Sequence, residues 1–217
     1  MKNKKMELVF IMDKSGSMSG LESDTIGGFN SLLEKQKDGK GEVSVTTILF
    51  NDDYQMLHDH VSIQKISPLT PKDYFVGGTT ALLDAIGKTI HDLIKVQKRR
   101  GRKHAAEKVM IVIITDGLEN SSREYSYRKI KELISTEQEK YGWEFLFLGA
   151  NIDAAKVASD VGIRKERAAN YHADSKGTSL NYQVLSDAVH SVREKNTIDD
   201  HWKKSIEEDY KNRKGWD

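Results

Sequence analysis

The chain has 217 residues, enough for one large domain with an ordinary buried core. It contains no cysteine, which excludes thiolate catalysis, cysteine-bound metals and disulfides, and we expect a cytoplasmic protein. Its formal net charge is +1 and its longest apolar run covers only residues 109–114, so neither nucleic acid nor a membrane is expected as a partner.

Four short apolar runs predict strands at residues 8–12, 43–50, 109–115 and 145–148. Because these runs are continuously apolar, they indicate strands buried on both faces, as in a parallel sheet covered by helices. Residues 54–63 predict a further strand, which a short turn connects to the second run. We expect that strand to lie antiparallel at one edge of the sheet.

Segments with helical periodicity separate these strands. Apolar residues at spacings of three and four predict three helices, which begin near residues 25, 82 and 129. Beyond Gly149 the pattern predicts a helix at 153–161, a short strand at 168–172 and a helix at about 180–194. The alternation predicts a doubly wound, Rossmann-like α/β fold with a mostly parallel sheet, flanking helices and one antiparallel edge strand.

The chain shows no internal repeat and no low-complexity linker, so we expect one domain over residues 1–195. Residues 196–217 form a charged C-terminal extension that contains Trp202 and Trp216. This extension is either a packed helix or a loose tail.

Side chains with oxygen atoms follow the ends of the predicted strands. The first strand is followed by Asp13, Ser15 and Ser17, and the third by Asp116, while Thr80 precedes the second helix. Ligand sites of open α/β sheets lie at the carboxyl ends of the strands, and Mg²⁺ prefers oxygen ligands. Taken alone, the Asp-x-Ser-x-Ser segment is equally well explained as a loop that caps a helix.

The pattern resembles a von Willebrand factor A domain with a metal-ion-dependent adhesion site, of the bacterial stand-alone type. Family members carry Asp-x-Ser-x-Ser after a strand, a distant threonine after a Gly-Gly loop, and an aspartate in a Thr-Asp-Gly turn. Over about residues 6–160, the positions that match these motifs are Asp13, Ser15, Ser17, Thr80 and Asp116.

The resemblance implies that the two serines and the threonine coordinate the metal directly. It implies that Asp13 and Asp116 hold the metal directly or through water. Thr80 is preferred to Thr79 because the family places this threonine five residues before a small residue, here Ala85. Mg²⁺ is the expected metal, with Mn²⁺ or Ca²⁺ as alternatives.

The resemblance further implies a non-enzymatic module whose metal binds an acidic residue of a partner protein, such as an AAA⁺ ATPase or a stress-response protein. The alternative is a phosphoryl-transfer enzyme of the haloacid-dehalogenase type that uses Asp13 as nucleophile. Such enzymes need a second aspartate two residues later, where this chain has Ser15.

Three further features have a simple structural interpretation. Glu119, next to the Thr-Asp-Gly turn, is expected to face solvent rather than the rim of the metal site. His58 and His60 are expected to form a surface pair on the edge strand. The basic residues within 95–103 are interpreted as a solvated helix end, with contact to phosphate or an acidic partner as the alternative.

Overall fold

The computed structural model describes residues 5–213, apart from the side chains of residues 102–104. This part of the chain contains six strands: β1 (Lys5–Asp13), β2 (Glu42–Phe50), β3 (Tyr54–Ser62), β4 (Lys108–Thr115), β5 (Glu144–Ala150) and β6 (Ala168–Tyr171). Its six α-helices are α1 (Glu22–Lys37), α2 (Leu82–His104), α3 (Tyr127–Tyr141), α4 (Ala154–Asp160), α5 (Ser175–Lys195) and α6 (Lys204–Arg213). None of these helices is both long enough and apolar enough to cross a membrane.

The six strands form one sheet in the order β3-β2-β1-β4-β5-β6. Strand β1 lies near the centre and pairs in parallel with β2 and β4. Strands β4, β5 and β6 continue the parallel arrangement, and β3 is antiparallel to β2. The predicted doubly wound sheet with one antiparallel edge strand is therefore confirmed.

Alternate residues of β1 face two different layers of helices. Leu8 and Phe10 pack with α1, α5 and α6, whereas Val9 and Ile11 pack with α2, α3 and α4. All four side chains are fully buried. Burial on both faces explains why the central strands are continuously apolar.

Helix α5 begins earlier than the apolar pattern predicts. The carboxylate of Asp174 accepts the backbone N–H of Gly177 at 2.8 Å, so the helix begins at Ser175 rather than near residue 180. Polar residues fill this first turn, and the apolar periodicity that located the helix starts only later. The helix ends at Asn196, which adopts a left-handed conformation with φ of 60°.

The described part of the C-terminal extension packs on the sheet. Ile198, Trp202 and Ile206 are buried in the same core as α1 and α5. The indole N–H of Trp202 donates to the backbone oxygen of Glu166 at 2.9 Å. Residues 204–213 are therefore a packed helix, while Trp216 lies outside the described residues. The domain boundary at residue 195 stays a prediction.

The prediction of a surface histidine pair is wrong. His58 is 4% exposed because the segment after β3 covers it, and its ring lies 3.0 Å from the hydroxyl of Thr47. Strand β3 is bulged, and His60 has a φ of 51°. This irregular backbone brings Nδ1 of His60 to 2.8 Å from the buried Glu7 carboxylate.

One residue of the basic segment at the end of α2 interacts with a buried carboxylate. Arg100 Nη1 lies 3.5 Å from Oε2 of the fully buried Glu7, so this residue does more than face solvent. Lys95 is exposed and pairs with Asp92 within the helix. The side chains of residues 102 and 103 lie outside the description.

A glycine in α1 permits close packing against α5, which leads to a stability prediction. A Cβ atom on Gly28 would lie 2.3 Å from Cδ2 of the buried Tyr182. We expect Gly28→Ala to lower the free energy of unfolding by about 1–3 kcal/mol, measured by urea denaturation, because the helices would have to separate.

The neighbouring Gly27→Ala is the matched control. A Cβ atom at position 27 would meet nothing within 4 Å, and Gly27 is exposed in the same helix. This change should raise stability by about 0.5–1 kcal/mol through helix propensity. Equal effects of the two substitutions would show that α1 and α5 are not closely packed at Gly28.

Candidate metal centre

The predicted oxygen ligands converge where β1 and β4 end. Asp13 is the last residue of β1 and Thr115 the last of β4, and these two strands are parallel neighbours. Asp116 directly follows β4, and Thr80 lies just before α2. Parallel pairing therefore brings together residues that are far apart in the sequence.

Both carboxylate oxygens of Asp13 are held by hydrogen bonds. Oδ1 accepts the backbone N–H of Ser15 at 2.7 Å, and Oδ2 accepts the hydroxyl of Thr115 at 2.6 Å. Asp13 is only 1% exposed. With both oxygens engaged and Ser15 at the position of the required acid, the geometry does not support the phosphoryl-transfer alternative.

The two serine hydroxyls connect this loop to Asp116. Ser17 Oγ donates to Asp116 Oδ1 at 2.5 Å, and Ser15 Oγ lies 3.1 Å from Ser17 Oγ. Because Ser17 uses its hydroxyl proton on Asp116, Ser15 is the donor of the second bond. Asp116 Oδ2 is buried and has no hydrogen-bond partner among the described residues. A buried carboxylate oxygen without a partner is costly and marks a position for a cation or donor.

The serines do not cap the following helix. Helix α1 has Leu21 at its N-cap position, with no hydrogen bond from a capping side chain. The helix-cap explanation of the Asp-x-Ser-x-Ser segment therefore does not account for Ser17, whose hydroxyl faces Asp116 instead.

Thr80 faces the hydroxyl cluster, whereas Thr79 is exposed. A Cβ atom on Gly117 would lie 3.1 Å from Thr80 Oγ1, 3.2 Å from Ser17 Oγ and 3.9 Å from Ser15 Oγ. Thr80 is 3% exposed. Three hydroxyl oxygens thus surround one small space beside Gly117, which any larger residue would fill.

Asn120 fixes the position of Thr80 through two backbone contacts. Its Oδ1 accepts the Thr80 N–H at 2.9 Å, and its own N–H donates to the Thr80 oxygen at 3.0 Å. The sequence motif assigns Asn120 no role of its own, although its place shortly after the Thr-Asp-Gly turn was a signal. Thr115 was missed in the same way, because that turn was interpreted through its aspartate alone.

The prediction that Glu119 faces solvent is wrong. Its carboxylate accepts the backbone N–H groups of Leu83, Ser121 and Ser122 at 2.7–2.9 Å. The reason is that the first turn of α2 has N–H groups without helical partners, and Glu119 satisfies one of them. Its role is to connect the loop after β4 to α2.

Asp84 in the first turn of α2 completes this connection. Its carboxylate accepts the N–H groups of Arg123, Glu124 and Tyr125, each at 2.9 Å. In return, its own N–H donates to Ser122 Oγ at 3.0 Å. The loop that carries Asp116 and the helix that follows Thr80 are therefore fixed to one another.

The segment before Thr80 is attached to the end of β1. The hydroxyl of Tyr74 donates to the backbone oxygen of Asp13 at 2.5 Å, and the N–H of Gly77 donates to the Lys14 oxygen at 2.9 Å. Tyr74 is 1% exposed. All three loops of the site are thus held by hydrogen bonds to one another.

Burial raises the pKa of both carboxyl groups in the site. Loss of hydration is the largest cause that raises the pKa of Asp116, to about 6. The hydrogen bond from Ser17 lowers this pKa, and the charge of Asp13 makes a smaller contribution that raises it. Burial also raises the pKa of Asp13, although Ser15 and Thr115 lower it in part. Among the described residues, no basic side chain contributes to either pKa shift, and the Lys14 ammonium donates to Gln55 at 2.8 Å.

This arrangement suits a hard divalent cation. The donor atoms are all oxygens, from two carboxylates and three hydroxyls, and Asp116 Oδ2 lacks a partner within the residues that the structure describes. Among the described side chains, residues 5–101 and 105–213, no group of three or more histidine or acidic residues could hold a metal ion. A cation at this position would therefore depend on the hydroxyl oxygens as well as the carboxylates.

Comparison with known proteins supports the assignment of the fold. A family model described as the von Willebrand factor type A domain matches residues 7–183. A search of curated proteins finds no match.

Several solved structures share the fold. Proximal thread matrix protein 1 from the mussel byssus is 12% identical with a TM-score of 0.60, over 88% of this chain and 46% of that chain. A second structure of that protein, with a zinc-occupied MIDAS motif, has a TM-score of 0.58 at 13% identity over 87% of this chain and 46% of that one. The ArnB paralog VWA2 from Sulfolobus acidocaldarius is 19% identical with a TM-score of 0.56, over 85% of this chain and 45% of that chain. This chain therefore spans less than half the length of these proteins.

The raised pKa of Asp116 predicts a pH-dependent contribution to stability in metal-free protein. A carboxyl group whose pKa rises from 3.8 to about 6 on folding stabilises the folded state at low pH, and this contribution is lost as the pH rises through about 6. We expect Asp116→Asn to raise the free energy of unfolding at about pH 7.5. That gain should shrink by about 1 kcal/mol at about pH 5.

Urea denaturation in EDTA at the two pH values measures this difference. Asp53→Asn, at an exposed carboxylate in the turn between β2 and β3, is the matched control and should change stability little at either pH. A gain from Asp116→Asn that is the same at both pH values would argue against the titration of Asp116.

Proposed function

Since this chain belongs to the von Willebrand factor type A family, we propose that it is a non-enzymatic module that binds a partner's carboxylate through a divalent cation. Domains of this family commonly act as metal-dependent protein-interaction modules. The observation that carries the proposal is the buried Oδ2 of Asp116, which has no hydrogen-bond partner in the described part of the chain and lies beside three converging hydroxyl groups.

The proposed ligands are the residues that the sequence motif indicates. Ser15, Ser17 and Thr80 would coordinate directly, and Asp13 and Asp116 would hold the cation directly or through water. Mg²⁺ is the proposed cation, with Mn²⁺ or Ca²⁺ as alternatives. When bound, the cation would supply positive charge to the two carboxylates and an electrophilic position for an incoming oxygen.

The charge of the site favours binding of an anionic partner over catalysis. Two carboxylates and neutral hydroxyls leave a divalent cation able to attract one further negative group. A carboxylate from an aspartate or glutamate of the partner provides that charge together with an oxygen ligand. No candidate general acid or base stands at the position two residues after Asp13, so turnover is not expected.

Two exposed apolar residues indicate which partner surface would fit. Phe75 is 63% exposed and directly follows Tyr74, while Leu118 is 60% exposed and directly follows Gly117. The Lys14 ammonium lies 5.0 Å from the centre of the Phe75 ring. We propose that the acidic residue of the partner is flanked by apolar side chains that contact Phe75 and Leu118.

The proposed compartment is the cytoplasm, on the basis of the cysteine-free composition. The candidate partners, an AAA⁺ ATPase or a stress-response protein, come from the resemblance to bacterial stand-alone members of the family. The metal site itself specifies only that the partner is a protein with an accessible acidic residue.

The two neighbouring threonines provide a matched test of the metal site. We expect Thr80→Ala to weaken Mg²⁺ binding by about tenfold or more, since it removes a buried oxygen that faces the cluster. Thr79→Ala should leave the affinity within about twofold, because Thr79 is exposed. Isothermal titration calorimetry measures both affinities, and equal affinities for the two variants would contradict the assignment of Thr80.

Partner binding should require both the metal and the exposed apolar residues Phe75 and Leu118. In pull-downs from the native cells, prey should be retained in Mg²⁺ and lost in EDTA or with Asp13→Ala. Phe75→Ser and Leu118→Ser should keep full Mg²⁺ affinity while capturing less of the same prey. Capture that is insensitive to EDTA would rule out the metal-bridged mode. If capture is sensitive to EDTA but Phe75→Ser and Leu118→Ser capture as much prey as the wild type, only the proposed apolar contacts are contradicted.

A further inference from the structure

A cavity lies between the C-terminal ends of α2 and α3, at the end of the sheet opposite to the metal centre. Its volume is about 680 Å³, a size typical of small-molecule pockets. The apolar part of its wall includes Ile94, Tyr141 and the buried Trp143. It lies beside the N-terminal ends of the parallel strands, so it is separate from the oxygen cluster at their carboxyl ends.

Two polar side chains that line this cavity have unused hydrogen-bonding capacity. Glu137 is 5% exposed, and within residues 5–213 its carboxylate has neither a hydrogen bond nor a salt bridge among the described side chains. Gln97 Oε1 accepts the N–H of Ala106 at 2.9 Å, which leaves Nε2 buried without a partner in the described chain. The Glu137 carboxylate and the buried Gln97 Nε2 both lack a hydrogen-bond partner among the described residues, which points to a ligand that supplies their partners.

We propose that this cavity binds a small organic amine with an apolar body. The ammonium group would pair with the Glu137 carboxylate, and a charge-assisted hydrogen bond of this kind is strong in a buried position. The apolar body would pack against Ile94 and Trp143, and the indole face also favours a nearby cation. Gln97 Nε2 would donate to an acceptor on the ligand where one is present.

The placement of charges favours an amine over an anion. Lys98 and Lys140 also line the cavity, but both are exposed, so their ammonium groups stay hydrated near the entrance. Among the described residues that line the cavity, Glu137 is the charged group that is buried. Burial raises the pKa of Glu137, whereas the charges of these two lysines lower it. Because burial disfavours the charged carboxylate, a directly bound ammonium would stabilise it.

An NMR titration with three matched probes tests this proposal. Phenethylamine, 2-phenylethanol and 3-phenylpropanoate carry the same ring with a cationic, neutral or anionic end. We expect the amine to bind the wild-type protein about tenfold tighter than the alcohol, and the acid to bind more weakly than both. The indole N–H signal of Trp143 and the side-chain amide signals of Gln97 should shift with saturation, which locates the site.

Glu137→Gln should reduce the preference for the amine over the alcohol to within about twofold. Glu132→Gln removes an exposed carboxylate from the same helix and should keep the full preference. Equal binding of amine and alcohol to the wild type, no saturable shift at Trp143, or an unchanged preference in Glu137→Gln would each overturn the proposal. The wild-type comparison decides the matter alone if Glu137→Gln fails to fold.

Discussion

The burial of two carboxylates at the ends of adjacent central strands is the constraint on which the candidate site depends. Asp13 and Asp116 lie close together and are both nearly excluded from water. No basic side chain in the described part of the protein contributes to the pKa shift of either. Such an arrangement is unfavourable unless hydroxyl dipoles or a cation offset the negative charge. The hydroxyl groups of Ser17 and Thr115 provide part of that compensation. The buried oxygen of Asp116 that has no partner in the described chain is where the compensation is incomplete.

Loops supply the oxygen atoms of this site, yet hydrogen bonds hold those loops in place. Glu119 and Asp84 connect the loop after β4 to the first turn of α2, and Asn120 holds the backbone of Thr80. Tyr74 attaches the preceding segment to the end of β1. Side chains on loops are positioned accurately only when a second set of contacts restrains them, and these four residues provide that restraint. Preorganisation of this kind lowers the entropy cost of binding a cation and then a partner.

The two ends of the sheet differ in chemistry because its parallel strands all place their carboxyl ends on one side and their amino ends on the other. At the carboxyl ends of the strands, loops place hydroxyl and carboxylate oxygens around one small space, and the adjoining loops carry the exposed Phe75 and Leu118. At the amino ends of the strands, the ends of α2 and α3 border a larger, open cavity that is mostly apolar and includes the Glu137 carboxylate in its wall. The sheet and its helices separate the two regions. A metal-dependent contact and a small-molecule contact would therefore use different atoms and different loops.

The sequence by itself determined the fold class and proposed five residues for the candidate site. Continuous apolar runs identify strands buried on both faces, and spacing after those strands identifies Asp13 and Asp116, because both signals are local in the chain. The tertiary structure decided which oxygens meet: it buries Thr80 and exposes Thr79, and it adds Thr115 as a donor to Asp13. It also decided that Glu119 caps α2 and that His58 is buried, since both depend on segments distant in sequence. Local patterns report which face of an element is apolar, whereas the partner of a polar side chain is set by the packing of loops that no local pattern encodes.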